Sequence, residues 1–260
     1  MELTIYQVDA FTDQLFGGNP AAVVPLSEWL STETMQRIAM ENNLSETAFI
    51  VPENDGYYIR WFTPAIEVDL CGHATLATAH IVFTELGWSE NSVNFNSKSG
   101  LLEVTKNGDL YTMNFPTDTI EEVAIPSEII EGLGVSPTKV FKGKDDYLAI
   151  FDNQSIIEDF QPNYGKLAQL AARGVITSAL GKEVDFVSRC FYPAAGINED
   201  PVTGSAHTTM APYWAKVLDK EELTASQLSA RGGVVKCYYK GNRVDLSGQA
   251  VTYLKGTIFV

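Results

Sequence analysis

Two short motifs occur twice in this chain and in the same order. The segment 60–65 (RWFTPA) resembles the segment 189–194 (RCFYPA), which lies 129 residues further along the chain. The segment 72–74 (GHA) resembles 204–206 (GSA), 132 residues further along. Each copy combines a strand pattern, a Pro-Ala turn, a polar loop and a helix start. The repetition therefore predicts two related halves, with a short insertion in the second polar loop.

Short strand patterns alternate with a few helices along the chain. Asn107-Gly108 and Gly241-Asn242 predict the turns of two hairpins. Helical patterns follow Ser31, Pro126 and Gly204, and two more cover the segments 74–86 and 167–173. The acidic stretch 116–126 is bracketed by prolines and is the best boundary between the halves. We predict an N-terminal lobe over 1–116, joined by a C-terminal strand at about 250–260, and a C-terminal lobe over 117–249.

The charge and cysteine content exclude several classes of function. With 18 Lys and Arg against 33 Asp and Glu among 260 residues, the chain lacks the basic clusters that bind nucleic acid or anionic membranes. Cys71, Cys190 and Cys237 are scattered without a CxxC spacing, which argues against a disulfide framework or a zinc site. No signal peptide or membrane span is predicted. We expect a cytoplasmic protein that uses no metal.

The repeated helix starts suggest a binding site for a small anion. The first N–H groups of a helix have no acceptor within the helix, and the helix dipole adds partial positive charge there. Gly72 and Gly204 would let a ligand approach the backbone closely. The alternative is that both glycines form tight turns and that Ser205 is an ordinary helix cap. Because the arrangement is duplicated, we favour the binding site, in a cleft between the two lobes.

Several side chains near these helix starts could act as an acid or a base. Four acidic residues lie in the two polar loops: Glu67, Asp69, Glu199 and Asp200. Glu46 enters an apolar strand, where burial would raise the pKa of a carboxylate toward the range useful in catalysis. Taken alone, Glu46 also fits an ordinary glutamate at a strand edge, and His73 a structural cap. We interpret His80 and His207 as structural.

Five motifs spread over the chain resemble one known family. They are 18–23 (GNPAAV), 43–47 (NLSET), 71–75 (CGHAT), 199–207 (EDPVTGSAH) and 231–233 (RGG). Together they resemble the PhzF-like family of phenazine-biosynthesis isomerases, whose fold is similar to that of diaminopimelate epimerase. The resemblance implies an α+β fold with two pseudo-symmetric lobes. Each lobe is a curved antiparallel sheet, or half-barrel, wrapped around a central helix.

The resemblance also implies an activity and a set of site residues. The activity is that of an isomerase, which moves a proton along the carbon framework of a small carboxylate without metal or cofactor. Glu46 is implied as the acid–base residue, with His73, Asp200 and Ser205 beside it as catalytic residues. The matching motifs imply six substrate-binding residues: Asn19, Gly72, Ala74, Thr203, Gly204 and Ala206. A homodimer is the expected assembly.

The chain departs from the related epimerases in one feature, which limits the type of reaction that it can catalyse. Those enzymes use two cysteines on opposite sides of the inverted carbon. Cys71 matches the first cysteine, but the second loop offers Pro201, Val202 and Thr203 instead of a thiol. We therefore favour an isomerase over an epimerase or racemase of unknown substrate. A non-catalytic metabolite-binding protein is the other alternative.

Overall fold

A computed structural model describes residues 1–260 and shows an α+β protein. The chain forms two compact units. The first unit contains residues 1–114 and 247–260, and the second contains residues 115–246. None of the helices combines the length and the apolar composition of a transmembrane helix.

The first unit contains two helices, the first eight strands except the end of the eighth, and the last strand of the chain. The helices are α1 (Thr32–Asn42) and α2 (Gly72–Thr84). The strands are β1 (Glu2–Ala10), β2 (Asn19–Pro25), β3 (Glu46–Glu53), β4 (Gly56–Phe62), β5 (Glu67–Val68), β6 (Ser92–Ser97), β7 (Gly100–Asn107), β8 (Leu110–Pro116) and, at the end of the chain, β18 (Ala250–Phe259).

The second unit contains four helices, a short 3-10 helix (Pro193–Ala195) and nine strands. The helices are α3 (Ser127–Leu133), α4 (Gln154–Glu158), α5 (Tyr164–Leu167) and α6 (Gly204–Leu218). The strands are β9 (Glu121–Val123), β10 (Lys139–Lys142), β11 (Asp146–Ile150), β12 (Gly174–Leu180), β13 (Phe186–Tyr192), β14 (Ile197–Asp200), β15 (Glu222–Gln227), β16 (Gly233–Tyr239) and β17 (Arg243–Gly248).

The two units repeat one order of strand pairings. In the first unit β1 pairs antiparallel with β2, β2 parallel with β3, β3 antiparallel with β4, and β4 parallel with β6. In the second unit β10, β11, β12, β13 and β15 repeat this succession. The short strands β5 and β14 pair antiparallel with β4 and β13, just before α2 and α6. This shared topology confirms the pseudo-symmetric fold that the repeated motifs predicted.

Helix α2 is the central helix of the first unit. Its residues are apolar or small on every side, and those from His73 to Ala79 are buried. A helix that is apolar all round must be covered all round. It packs against β1, β2, β3 and β18. Helix α1 covers another part of the sheet, where Met35 and Ile38 pack with Phe49 and Phe62. Strand β2 is buried along nearly its whole length, as expected of a strand enclosed on both faces.

Helix α6 has the same place in the second unit and packs against β15 and β16. Its buried residues include His207, Met210 and Trp214. The ring of Trp214 stacks on Phe186, and its indole N–H donates to the Ser178 hydroxyl over 2.9 Å. A separate apolar cluster joins α3, α4 and α5 to β12 and β13. Each unit therefore has its own core.

The predicted helix over 167–173 is wrong. The structure has a single turn, α5, capped by Asn163 and ending at Leu167. Leu167 and Leu170 are both buried, and their spacing of three imitated a helical pattern. The backbone N–H of Arg173 donates to the carbonyl of Asp145 over 2.9 Å, so the chain here is already extending into β12. Both predicted hairpin turns are confirmed, since they join β7 to β8 and β16 to β17.

Candidate active site

The pairing of β2 with β3 brings Asn19 and Glu46 to the same end of the first sheet. The two strands are parallel, and Ala21 lies opposite Glu46. Helix α1 ends at Asn43, whose left-handed backbone (φ 50°) turns the chain toward β3. Asn19 is fully buried, and the Glu46 side chain is 13% exposed. The Ser45 hydroxyl donates to Asn19 Oδ1 over 3.2 Å, which ties the two strand ends together.

Helix α2 begins beside these strand ends and supplies His73. His73 Nε2 lies 3.1 Å from Glu46 Oε2, but the two atoms are not aligned for a hydrogen bond, and neither has another hydrogen-bond partner. On the other side of the ring, Nδ1 lies 3.3 Å from the amide nitrogen of Asn19 and 3.5 Å from the sulfur of Cys71. The imidazole is thus held between a carboxylate and two polar groups. This arrangement can pass a proton between Glu46 and His73.

The surroundings of His73 and Cys71 raise the pKa values of both side chains. Burial opposes the charged imidazole, but the negative charge of the nearby Glu46 carboxylate and the hydrogen bond of the ring with Cys71 outweigh it and raise the pKa of His73 above its ordinary value. Burial, and then the nearby Glu46 carboxylate, raise the pKa of the Cys71 thiol. A thiol with a raised pKa is neutral near pH 7 and is a poor base. The carboxylate and the imidazole are therefore the groups best suited to carry a proton.

The starts of α2 and α6 are alike in having no side-chain cap. Cys71 and Thr203 occupy the cap positions, and neither side chain accepts a hydrogen bond from the helix. Helix α1, in contrast, is capped by the Ser31 hydroxyl. The orphan N–H groups of the first turn belong to Gly72, His73 and Ala74 in α2 and to Gly204, Ser205 and Ala206 in α6. Both helix starts thus keep the amide groups that could bind an anion.

Four of the six predicted substrate-binding residues can offer a ligand only backbone groups at these helix starts: Gly72, Ala74, Gly204 and Ala206. The methyl groups of Ala74 and Ala206 are fully buried, so only their N–H groups are suited to contact a ligand. A Cβ added at Gly204 would meet no protein atom within 4 Å, so packing within the chain does not require a glycine there. This fits the interpretation that the glycine serves a ligand.

In the second unit, a buried glutamine holds the loop before α6. The side chain of Gln227 is fully buried; it donates to the carbonyl of Asp200 over 2.6 Å and accepts from the N–H of Thr203 over 2.9 Å. The Thr203 hydroxyl donates to Asp200 Oδ2 over 2.6 Å. Sequence reasoning missed Gln227, because it lies on a distant strand, β15. Its contacts bring the predicted residues Asp200 and Thr203 together.

Ser205 follows this loop on the first turn of α6 and is exposed. Its hydroxyl oxygen lies 3.2 Å from Nη2 of Arg173, which donates to it. The structure therefore rejects the interpretation of Ser205 as a helix cap, since Thr203 holds the cap position. Sequence reasoning also missed Arg173, which it had assigned to a helix end.

Two of the four loop carboxylates are structural. Glu67 accepts two hydrogen bonds from Arg60, each 2.8 Å long, and Glu199 accepts two from Arg189, 2.7 and 2.8 Å long. The arginines are the first residues of the repeated motifs, so the duplication preserves an ion pair. Hydrogen bonding from Arg60 lowers the pKa of Glu67 to about 2. Glu67 is therefore ionised at neutral pH and unsuited to carry protons.

Glu46, Cys71 and His73 also form a set of three groups that could approach a metal ion. Their ligand atoms lie within 4.8 Å of one another, and zinc accepts all three kinds of ligand. However, Cys71 is near Nδ1 of the imidazole and Glu46 is near Nε2. An ion bound to one ring nitrogen would face only one of the two other ligands. The observed side-chain positions fit proton transfer better than metal binding.

Comparison with known proteins decides the family. A family model described as "phenazine biosynthesis-like protein" (PhzC-PhzF) matches residues 8–256. This chain belongs to the PhzC-PhzF family. Within the family it is 50% identical to an uncharacterized isomerase of Pseudomonas aeruginosa, over 99% of each chain. A crystal structure of a PhzF-family phenazine biosynthesis protein from Enterococcus faecalis has 44% identity and a TM-score of 0.98, with 100% of each chain covered.

More distant structures share the fold alone. A hydroxyproline epimerase from Agrobacterium vitis superposes with a TM-score of 0.62 at 10% identity, over 99% of this chain and 92% of that one. The family assignment and the named isomerase relatives make this chain an isomerase. The predicted fold and enzyme class are thereby confirmed. Its substrate and the roles of the site residues remain predictions.

Proposed function

We propose that this PhzF-family isomerase moves a proton on a small, unsaturated or cyclic carboxylate, with Glu46 as the acid–base residue and without a cofactor. The observation that carries the proposal is the pair of Glu46 and His73, 3.1 Å apart and both largely buried. A carboxylate in this position can take a proton from one carbon and return it to another on the same face. General acid–base catalysis of this kind contributes about 10²–10⁴ in rate.

The partners of His73 support this assignment. The raised pKa of His73 favours the protonated imidazole, whose positive charge would stabilise negative charge that develops on the substrate. The uncapped start of α2 adds the amide groups of the first turn to the same region. Proton removal from carbon creates a delocalised anion, and these donors match that charge.

The neutral state of Cys71 favours an isomerase over an epimerase. A two-thiol racemase needs thiolates as bases, but the pKa of the Cys71 thiol is raised. The matching position of the second unit is Thr203, whose hydroxyl donates to Asp200. Asp200 and Ser205 stay predicted as catalytic residues of the same reaction, and a homodimer stays the predicted assembly.

A deuterium-exchange screen tests the proposal. Small carboxylates, including cyclic dienes and amino acids, are incubated with the protein in D₂O and analysed by mass spectrometry and proton NMR. We expect deuterium at carbon together with a shifted double bond in at least one unsaturated carboxylate. Inversion of a stereocentre without a bond shift would instead identify an epimerase. Binding without any exchange would identify a metabolite-binding protein and contradict the proposal.

A further inference from the structure

Arg173 and Ser205 in the second unit lie beside or at the positions that match Glu46 and His73 in the first. Ser205 matches His73, because each is the second residue of its central helix. Gly174 matches Glu46, because each begins a strand that pairs in parallel with its neighbour, at Asp146 and Ala21. Arg173 directly precedes Gly174. The second unit thus has a guanidinium and a hydroxyl close to the positions that correspond to the acid–base pair of the first unit.

Three adjacent strands hold the Arg173 side chain in place. Nε donates to Asp146 Oδ1 over 2.9 Å, and Nη2 also bonds to Oδ2 of the same carboxylate. The guanidinium carbon lies 4.8 Å from the centre of the Tyr192 ring. The backbone at Gly174 lies close to β13, since a Cβ there would lie 2.4 Å from the Tyr192 ring and 2.2 Å from the Phe191 carbonyl oxygen. The guanidinium is therefore fixed before any ligand arrives.

Arg173 and Ser205 also have hydrogen-bond donors that are not bonded to any acceptor in the second unit. Nη2 donates to the Ser205 hydroxyl oxygen over 3.2 Å, which leaves the hydroxyl hydrogen of Ser205 free to donate. The N–H groups on Nη1 make no hydrogen bond within the protein. The Arg173 side chain is 39% exposed, whereas that of Asp146 is 4% exposed. One edge of the guanidinium is thus anchored and the other faces outward.

Arg189, in the same unit, has a structural role and provides a comparison for Arg173. Its Nε and Nη2 bind Glu199, and its Nη1 donates to the carbonyls of Ile157 and Phe160 over 3.3 and 3.2 Å. Its side chain is 12% exposed. Arg173 differs in having an outward edge and a serine hydroxyl, beside the uncapped start of α6. A planar guanidinium held this way matches the two oxygens of a carboxylate.

We infer that Arg173 is a specificity-determining residue, which binds the substrate's carboxylate together with the Ser205 hydroxyl and so selects anionic substrates. This inference rests on the proposed function, because it takes the substrate to carry a carboxylate. A carboxylate would accept from Nη1 with one oxygen and from the Ser205 hydroxyl with the other. Because the donors are already positioned, little ordering is needed on binding.

The test compares two probes of the same shape, 2-aminobenzoate and its neutral amide, 2-aminobenzamide. Their dissociation constants are measured by calorimetry on the full chain. We expect the wild type to prefer the carboxylate by at least about tenfold, as a charge-assisted hydrogen-bond pair implies. Arg173→Gln should reduce this preference to within about threefold, and Arg173→Lys should keep part of it. Lys182→Gln, which removes an exposed charge from the same unit, should leave it unchanged.

Removal of Arg173 alone leaves the buried Asp146 carboxylate unpaired, which destabilises the fold. The double variant Asp146→Asn/Arg173→Gln avoids this, because two neutral amides can hydrogen-bond in place of the ion pair. It should fold and show the same loss of preference. A full carboxylate preference in the folded double variant would overturn the inference. So would a wild type that binds neither probe at 20 mM, or that binds both equally.

The Glu46→Gln variant separates this inference from the proposed function. It removes the proposed acid–base group but leaves the Arg173 cluster intact, so it should retain the carboxylate preference while losing exchange. Loss of preference only in the Arg173 variants supports the inference even if no exchange is found. Exchange that depends on Glu46, with no role for Arg173 in binding, would overturn the inference and leave the proposed function standing.

Discussion

Acid should destabilise this protein through His207. The ring is fully buried on α6, and its Nδ1 donates to the carbonyl of Thr203 over 2.8 Å. Nε2 has no hydrogen-bond partner, and the ring packs 6.1 Å from that of Phe186. Burial lowers the pKa of His207 to about 4, although the Thr203 carbonyl opposes this in part. His207 is therefore neutral in the folded protein at neutral pH.

The direction and size of the effect follow from this pKa. An unfolded histidine has a pKa of about 6.5, so between about pH 6.5 and 4 the unfolded chain binds more protons than the folded one. The stabilising contribution is complete above about pH 6.5 and is lost as the pH falls through about 4. A shift of this size corresponds to about 3 kcal/mol in total, of which about 2 kcal/mol is lost by pH 5.

Urea unfolding at pH 7 and pH 5 measures this loss in the wild type and in His207→Asn. The asparagine amide can still donate to the Thr203 carbonyl but cannot be protonated in this range. His80, whose pKa burial lowers to about 4, and His73, whose pKa is raised, contribute equally to both proteins. Between the two pH values, the wild type should lose about 2 kcal/mol more than the variant. Equal losses in both proteins would show that protonation of His207 does not destabilise the fold.

Three further substitutions separate stability from activity. Gly204→Ala should raise the free energy of unfolding by about 0.5 kcal/mol, since alanine favours a helix. It should also reduce exchange, because its methyl group lies where a ligand approaches, and full exchange activity would contradict this. Glu67→Gln should cost about 2 kcal/mol by leaving Arg60 without its carboxylate, as urea unfolding would show, while exchange changes by less than about threefold. Cys71→Ala should keep exchange within about tenfold of the wild type, because a neutral thiol is not the base; a loss as large as that of Glu46→Gln would assign the thiol a direct role.

The architecture could be predicted because the duplicated motifs and turns are short, local features of the sequence. The repeated helix starts at Gly72 and Gly204 and the hairpin turn at Asn107-Gly108 depend on neighbouring residues, so they could be read directly. The helix over 167–173 was mispredicted because the spacing of Leu167 and Leu170 resembles that of a helix. Tertiary contacts, rather than a helical face, bury these two residues.

The candidate site was only partly predictable for the same reason. Glu46 and His73 stood out through family motifs, and the structure brings them to 3.1 Å. Gln227 on β15 and Arg173 just before β12 lie far along the chain from the residues that they contact, and nothing beside them in the sequence indicates these contacts. Glu67 and Glu199 looked like acid–base candidates because their arginine partners lie seven and ten residues away, beyond the reach of a local motif.

In the proposed reaction, Glu46 transfers the proton. This role is tested most directly by the rate of carbon-bound deuterium incorporation into a substrate found in the screen, measured for wild type, Glu46→Gln and Glu41→Gln. Glu41 is an exposed glutamate on α1 and provides a matched control. We predict that Glu46→Gln lowers this rate by about 10²–10⁴ and that Glu41→Gln leaves it unchanged. Exchange at the wild-type rate in Glu46→Gln would show that another group is the base.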